Sequence, residues 1–241
     1  MGSSAPRPDL TSRLLRREQP IVAASIALLA ALSWMFLMRG AGMGSMQPPL
    51  IPLIVMWWLM MAAMMLPSAA PAVLLYARVR HMRGADRAIA QSWVFLGGYL
   101  ALWLVFSLIA ASAQRLLAGP SMALENPVAR AVLLIVAGVY QLSPLKTACL
   151  GECRSPAQFI SRHWRPGWIG TLRLGLLHGA YCVGCCWALM LLLFVGGVMN
   201  LLWVVALAAV VAAEKLLPRG LWLGRVVGLA AIACGAFLVV S

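Results

Sequence analysis

The sequence predicts an all-α fold: a polytopic transmembrane helix bundle of about seven helices, with six as the alternative, and a cytoplasmic N-terminus. Three observations carry that expectation. Of the 241 residues 63% are hydrophobic and 10% charged, with a mean hydropathy of +0.92, which is the composition of an integral membrane protein. Seven apolar runs follow one another along the chain, and about 20 such residues are enough to cross a ~30 Å hydrocarbon layer as a helix. Lysine and arginine, finally, fall mainly on alternate connections, as they do when cytoplasmic loops hold the positive charge.

The runs cover residues 21–38, 50–76, 93–116, 128–142, 172–195, 201–217 and 221–240, the fourth being the shortest. Sixteen of the nineteen basic residues lie in the N-terminal arm, the second and fourth connections and the last turn, against Arg39, Arg115 and Arg130 elsewhere. That bias orients the N-terminus inside and the C-terminus outside. It also accounts for the formal charge of +13 through topology and anionic lipid, without nucleic acid as a partner. Residues 1–20 read as a basic cytoplasmic arm, and 21–241 as one transmembrane domain with a cytoplasmic cysteine-bearing loop at 143–171. The first run follows an arginine-rich arm and lacks a small-x-small cleavage site, so it reads as a retained helix.

After the first run comes MRGAGMGSMQPP, a glycine- and proline-rich loop with Met38, Met43 and Met46, and Met35 one turn earlier. Mobile thioethers pass a soft ion along by exchange; such residues also serve as plain loop. In the second run Met56, Met60 and Met64 repeat every fourth residue, and Met61 and Met65 form a second row beside them. A methionine stripe is either packing or a ligand path. Pro67 and Pro71 free backbone carbonyls, with Ser68 at hand to satisfy one. The third and fourth runs read as structural: Gly97, Gly98 and Gly138 permit close packing, and Tyr99 and Tyr140 read as interfacial or hydrogen-bonding aromatics.

The fourth connection contains Cys149 and Cys153, four apart, with Lys146 and Glu152 close by. On a helix the two thiols share a face; in a loop they are able to close a disulfide, although a reducing cytoplasm favours thiols or metal ligands. The fifth run holds HGAYCVGCCWALM. At 100° per residue His178, Cys182 and Cys185 fall within about 60° of one helix face, and Cys186 about 80° from His178. Ten residues into their runs, Met60 and Cys182 each reach a depth of about 15 Å, so a shared thioether–thiol site is geometrically open. Gly175 and Gly179, and Gly224 and Gly228, have the small-x-x-x-small spacing of close helices. Glu214, followed by Lys215, reads either as an interfacial pair or as a proton or cation relay. Cys234 reads as core filler, and His81 and His163 as solvated.

The segments WWLMMAAMMLPSAAP, YQLSPLKTACLGECRSP, HGAYCVGCCWALM and AEKLLP resemble those of a bacterial family of predicted metal-binding integral membrane proteins, a domain of unknown function. The resemblance implies a multi-helix inner-membrane fold and a metal site. Its motif cysteines correspond to Cys149, Cys153, Cys182, Cys185 and Cys186, and its methionine–proline segment to Met60, Met61, Met64, Met65 and Pro67.

Thiolate and thioether donors with one imidazole select Cu(I), with Zn(II) behind it, whereas calcium and magnesium require more carboxylates than exist here. The expected function is therefore binding of a soft metal ion, Cu(I), by His178, Cys182, Cys185, Cys186, Cys149, Cys153, Met56, Met60 and Met64. The protein would act in copper transport, or in delivery with a metallochaperone or a membrane metalloenzyme as partner. Two other readings stay open: a membrane thiol-disulfide or quinone-linked oxidoreductase, and a structural accessory subunit of a membrane enzyme complex.

Overall fold

The computed structural model describes residues 10–40, 49–82, 87–117 and 123–240. Within them the chain is helical and forms no strand: α1 (Leu10–Met38), α2 (Leu50–Met82), α3 (Ala88–Leu117), α4 (Pro127–Gln141), α5 (Pro144–Arg154), α6 (Pro156–His163), α7 (Gly167–Leu191), the single turn α8 (Leu193–Gly196), α9 (Leu201–Leu216) and α10 (Gly220–Val240). Each of the seven apolar runs is helical, the fifth continuing past α7 into α8. Met43 and Met46 lie outside the described residues.

The count of about seven membrane spans is not met. Among the described residues five helices are long and apolar enough to cross, or six if α4 and α5, bent by 63°, form one broken span. The reason is local. Gln141 ends α4, Ser143 caps α5 by accepting a hydrogen bond from the Lys146 N–H, and Pro144 takes the first helical position, where its missing N–H costs nothing. The 15 residues of α4 therefore rise only about 22 Å. Likewise α9 has 16 residues between the Asn200 cap and Leu217, about 24 Å.

The connection expected as a loop at 143–171 is largely helical, because serine–proline pairs at Ser143–Pro144 and Ser155–Pro156 restart the helix twice. In addition α7 begins at Gly167, directly after Pro166, five residues before its apolar run.

The core is organised around α2, which is buried along its length and runs unbroken through Pro67 and Pro71. Helices α1, α3 and α9 pack on it, and α7 lies between α3 and α5 while also touching α9. Glycine sets the α3–α7 spacing: a Cβ on Gly175 would collide with the Phe95 carbonyl, and one on Gly98 would lie 2.7 Å from Leu172 O. On the other flank α10 packs chiefly on α4, with Gly224, Gly228, Ala231 and Gly235 turned inward. Cys234 consequently faces outward and is exposed, not core filler.

Candidate metal centre

Helix α7 presents His178, Cys182, Cys185 and Cys186 on its buried side. The thiols of Cys185 and Cys186 both donate to the carbonyl of Cys182, at 3.1 and 2.9 Å. Cys182 has no such partner in its own helix. Its Sγ receives a hydrogen bond from Lys215 Nζ at 3.0 Å and lies 3.1 Å from the Tyr99 hydroxyl.

The two cysteine groups of the sequence meet at one place. On α5, Cys153 Sγ lies 3.9 Å from Cys185 Sγ. Cys149, one turn back on the same face, packs against Gly184: a Cβ there would stand 2.9 Å from its sulfur. All six cysteines are free thiols. Tyr140 donates to Gly184 O at 2.5 Å and fixes α4 to the same stretch of α7.

A methionine joins them from the second row of the α2 stripe. Met65 Sδ is 3.9 Å from Cys186 Sγ and 3.7 Å from Lys215 Nζ. Met60 was the residue expected opposite Cys182. The methionine that reaches the α7 thiols is Met65, five residues further along α2, through Cys186. Met56 and Met60 instead line a cavity of about 30 Å³ with Met199, Val198 and Leu201, while Met64 is buried in the core. Among the described residues no thiol–thioether contact involves Met56, Met60 or Met64.

His178 stands one turn before Cys182, enclosed by the rings of Phe95, Tyr99 and Phe159. Its Nδ1 is buried with no hydrogen-bond partner, an uncommon state for a buried polar atom. His163 is not a solvated loop residue: its Nδ1 is 3.1 Å from Phe159 O, and its ring packs on Phe159 and Tyr181.

Sequence reasoning missed two side chains of the cluster, Lys215 and Tyr99. Lys215 is buried, and its ammonium also donates to Ser68 Oγ at 3.3 Å; its position in the last turn of α9 concealed this. Glu214 is not its partner. That carboxylate takes Lys146 at 2.6 Å and the Gln141 amide at 2.7 Å, and Lys146 donates to Gln141 as well. Tyr99, assigned a structural part, touches Cys182 itself. The usable signal was the lysine: a charge inside an apolar bundle is a functional residue by default.

Chemically the cluster offers thiols, a thioether and a phenol, with one ammonium among them and the nearest carboxylate turned away. Such donors suit a soft monovalent ion better than a hard one. Among the described residues no three histidine, cysteine or carboxylate groups already stand as a coordination sphere, since the thiols are engaged with carbonyls, with one another and with Lys215.

No curated protein and no solved structure shows significant similarity to the chain. The profile of one family, PpoB2, described as a copper chaperone, matches residues 54–238. That match runs from near the start of α2 almost to the end of α10 and takes in every residue of the cluster, so the chain belongs to the PpoB2 copper chaperone family.

Proposed function

We propose that the protein is a multi-pass component of the bacterial inner membrane that binds Cu(I) and hands it on, in copper transport or in delivery to a membrane metalloenzyme. Cys153, Cys182, Cys185 and Cys186 with Met65 are its principal donors; Cys149 and His178 flank them. Met56 and Met60, with Met199 beside them, serve as a staging point on the way. Met64 belongs to the same methionine run.

The observation that carries the reading is the meeting of Cys153 from α5 and Met65 from α2 with the α7 thiols. Two separate sequence motifs converge on one set of soft donors, inside a family described as copper chaperones. Zn(II) fits less well, because it seldom takes a thioether and prefers a closed tetrahedral shell. Binding releases thiol protons. Five long apolar helices and the basic-residue bias support membrane insertion with the N-terminus inside. Residues 1–20 then form a cytoplasmic arm before the single domain 21–241.

The test is elemental analysis of detergent-purified protein after anaerobic Cu(I) loading, beside a variant with Cys182, Cys185 and Cys186 all changed to Ser. Stoichiometric copper in the wild type and its loss in the variant is the expected result. No copper in either ends the reading. One observation favours a second reading, thiol-disulfide exchange: the free thiols of Cys153 and Cys185 stand 3.9 Å apart. A Cys153–Cys185 disulfide cycling in cells, trapped by alkylation, would favour that chemistry.

A further inference from the structure

Helix α9 carries two adjacent charged residues that serve different parts of the fold. Glu214 reaches Lys146 and Gln141, whereas Lys215 reaches the sulfur cluster. An ammonium has three donors and no acceptor. The three acceptors around Lys215 Nζ are Cys182 Sγ at 3.0 Å, Ser68 Oγ at 3.3 Å and Met65 Sδ at 3.7 Å. Not one of these is a carboxylate, and two are sulfurs on which copper binding would depend. A metal–thiolate bond is about 2.3 Å long, on the measure of zinc. An ion joined to Cys182 and Met65 would approach the same two sulfurs that Nζ already contacts at 3.0 and 3.7 Å.

We infer that Lys215 is the resting cation of the copper site: its ammonium holds the position between Cys182 and Met65 and withdraws when Cu(I) enters. The inference rests on the copper reading and adds to it a control on affinity. Loading becomes the exchange of one positive charge for another, so the site never holds two cations at one point. On release, the returning ammonium offsets the cost of leaving a buried sulfur anion bare. The measured affinity is then the difference between the sulfurs' preference for copper and for the ammonium. A protein that must surrender its ion gains from that difference. Lysine suits the part, since its compact charge sits on a flexible four-carbon stem, unlike the planar fork of arginine.

The test uses the full chain in detergent, without oxygen. Cu(I) is titrated in competition with bathocuproine disulfonate, and transfer to excess chelator is followed by its absorbance. Lys215→Leu removes the charge and adds no metal donor. It is expected to bind Cu(I) about tenfold or more tightly, the weight of a charge-assisted hydrogen bond, and to release it correspondingly more slowly. Ser68→Ala removes one acceptor of the ammonium and no sulfur, and is expected to shift affinity in the same direction by a smaller factor. Unchanged or weaker binding in Lys215→Leu overturns the inference, weaker binding meaning that the ammonium balances the loaded site instead. If Lys215→Leu does not fold, Ser68→Ala decides alone, and no gain in its affinity has the same force. A wild type that takes up no Cu(I) overturns the copper reading itself, an outcome read in its own arm.

Discussion

Glu214→Gln isolates the contribution of the buried ion pair that ties α5 to α9. The side chains of Lys146 and Glu214 are 3% and 2% exposed, and their charged atoms are 2.6 Å apart. With the carboxylate charge removed, Lys146 is left as a buried charge without its counter-ion. Removing one partner of such a pair costs about 3–5 kcal/mol. Lys146 keeps its bond to the Gln141 side chain, and the new amide is able to accept one hydrogen bond worth about 1 kcal/mol. The net loss is then about 2–4 kcal/mol, and at about 2–4 °C per kcal/mol for a chain of this size Tm falls by about 4–16 °C. The assay is thermal unfolding in detergent at one fixed scan rate, because irreversible unfolding makes the midpoint rate-dependent. Replacing both partners, as Lys146→Met with Glu214→Leu, is expected to restore most of the loss, since a well-packed apolar pair is often no worse than a buried salt bridge. A Glu214→Gln protein melting within about 2 °C of wild type would refute the reasoning.

Two further outcomes follow from helix register and spacing. Met65→Leu keeps the volume and removes the thioether, so it is expected to weaken Cu(I) binding in the chelator competition, while Met60→Leu, remote from the thiols, leaves the equilibrium affinity unchanged. Gly175→Ala drives a methyl group into the Phe95 carbonyl, backbone that cannot swing aside, and is expected to cost about 1–3 kcal/mol, read as a lower Tm; Gly97→Ala, with nothing within 4 Å of the added carbon, is the control that should melt as wild type.

Much of this arrangement was legible in the chain, and the limits have physical causes. The apolar runs located the helices, the fifth continuing past α7 into α8, but the length of each helix decides whether it spans. Ser143–Pro144 and Pro218 cut α4 and α9 short, effects that sum over a few turn residues. The face shared by His178, Cys182 and Cys185 was readable because it follows from 100° per residue. Which methionine met it was not readable, because the contact of Met65 with Cys186 is set by tertiary packing. The Gly175–Gly179 spacing announced a close approach to another helix without naming α3, so Tyr99 could not be placed beside Cys182. Lys215 was concealed for a different reason. Its neighbour Glu214 offered an obvious partner in sequence, yet adjacent residues on a helix point about 100° apart, and each found its partner across a tertiary contact.

The side chains around Cys182 also separate the two chemistries open to the thiols. Disulfide exchange needs a thiolate and access to a second sulfur that can accept it. Cys153 and Cys185 satisfy that geometry by themselves. It gives no use for a thioether, which forms no disulfide, nor for the contact of Met65 with Cys186. A Cys153–Cys185 bond would also leave Cys182 and the ammonium beside it without a part. Metal binding employs all of these groups: the thioether as a soft neutral donor, the thiols as anionic donors, and the lysine as the cation they hold in its place. A reading that requires every unusual side chain of a buried cluster is stronger than one that requires two, since each buried polar group carries a desolvation cost that packing alone does not justify.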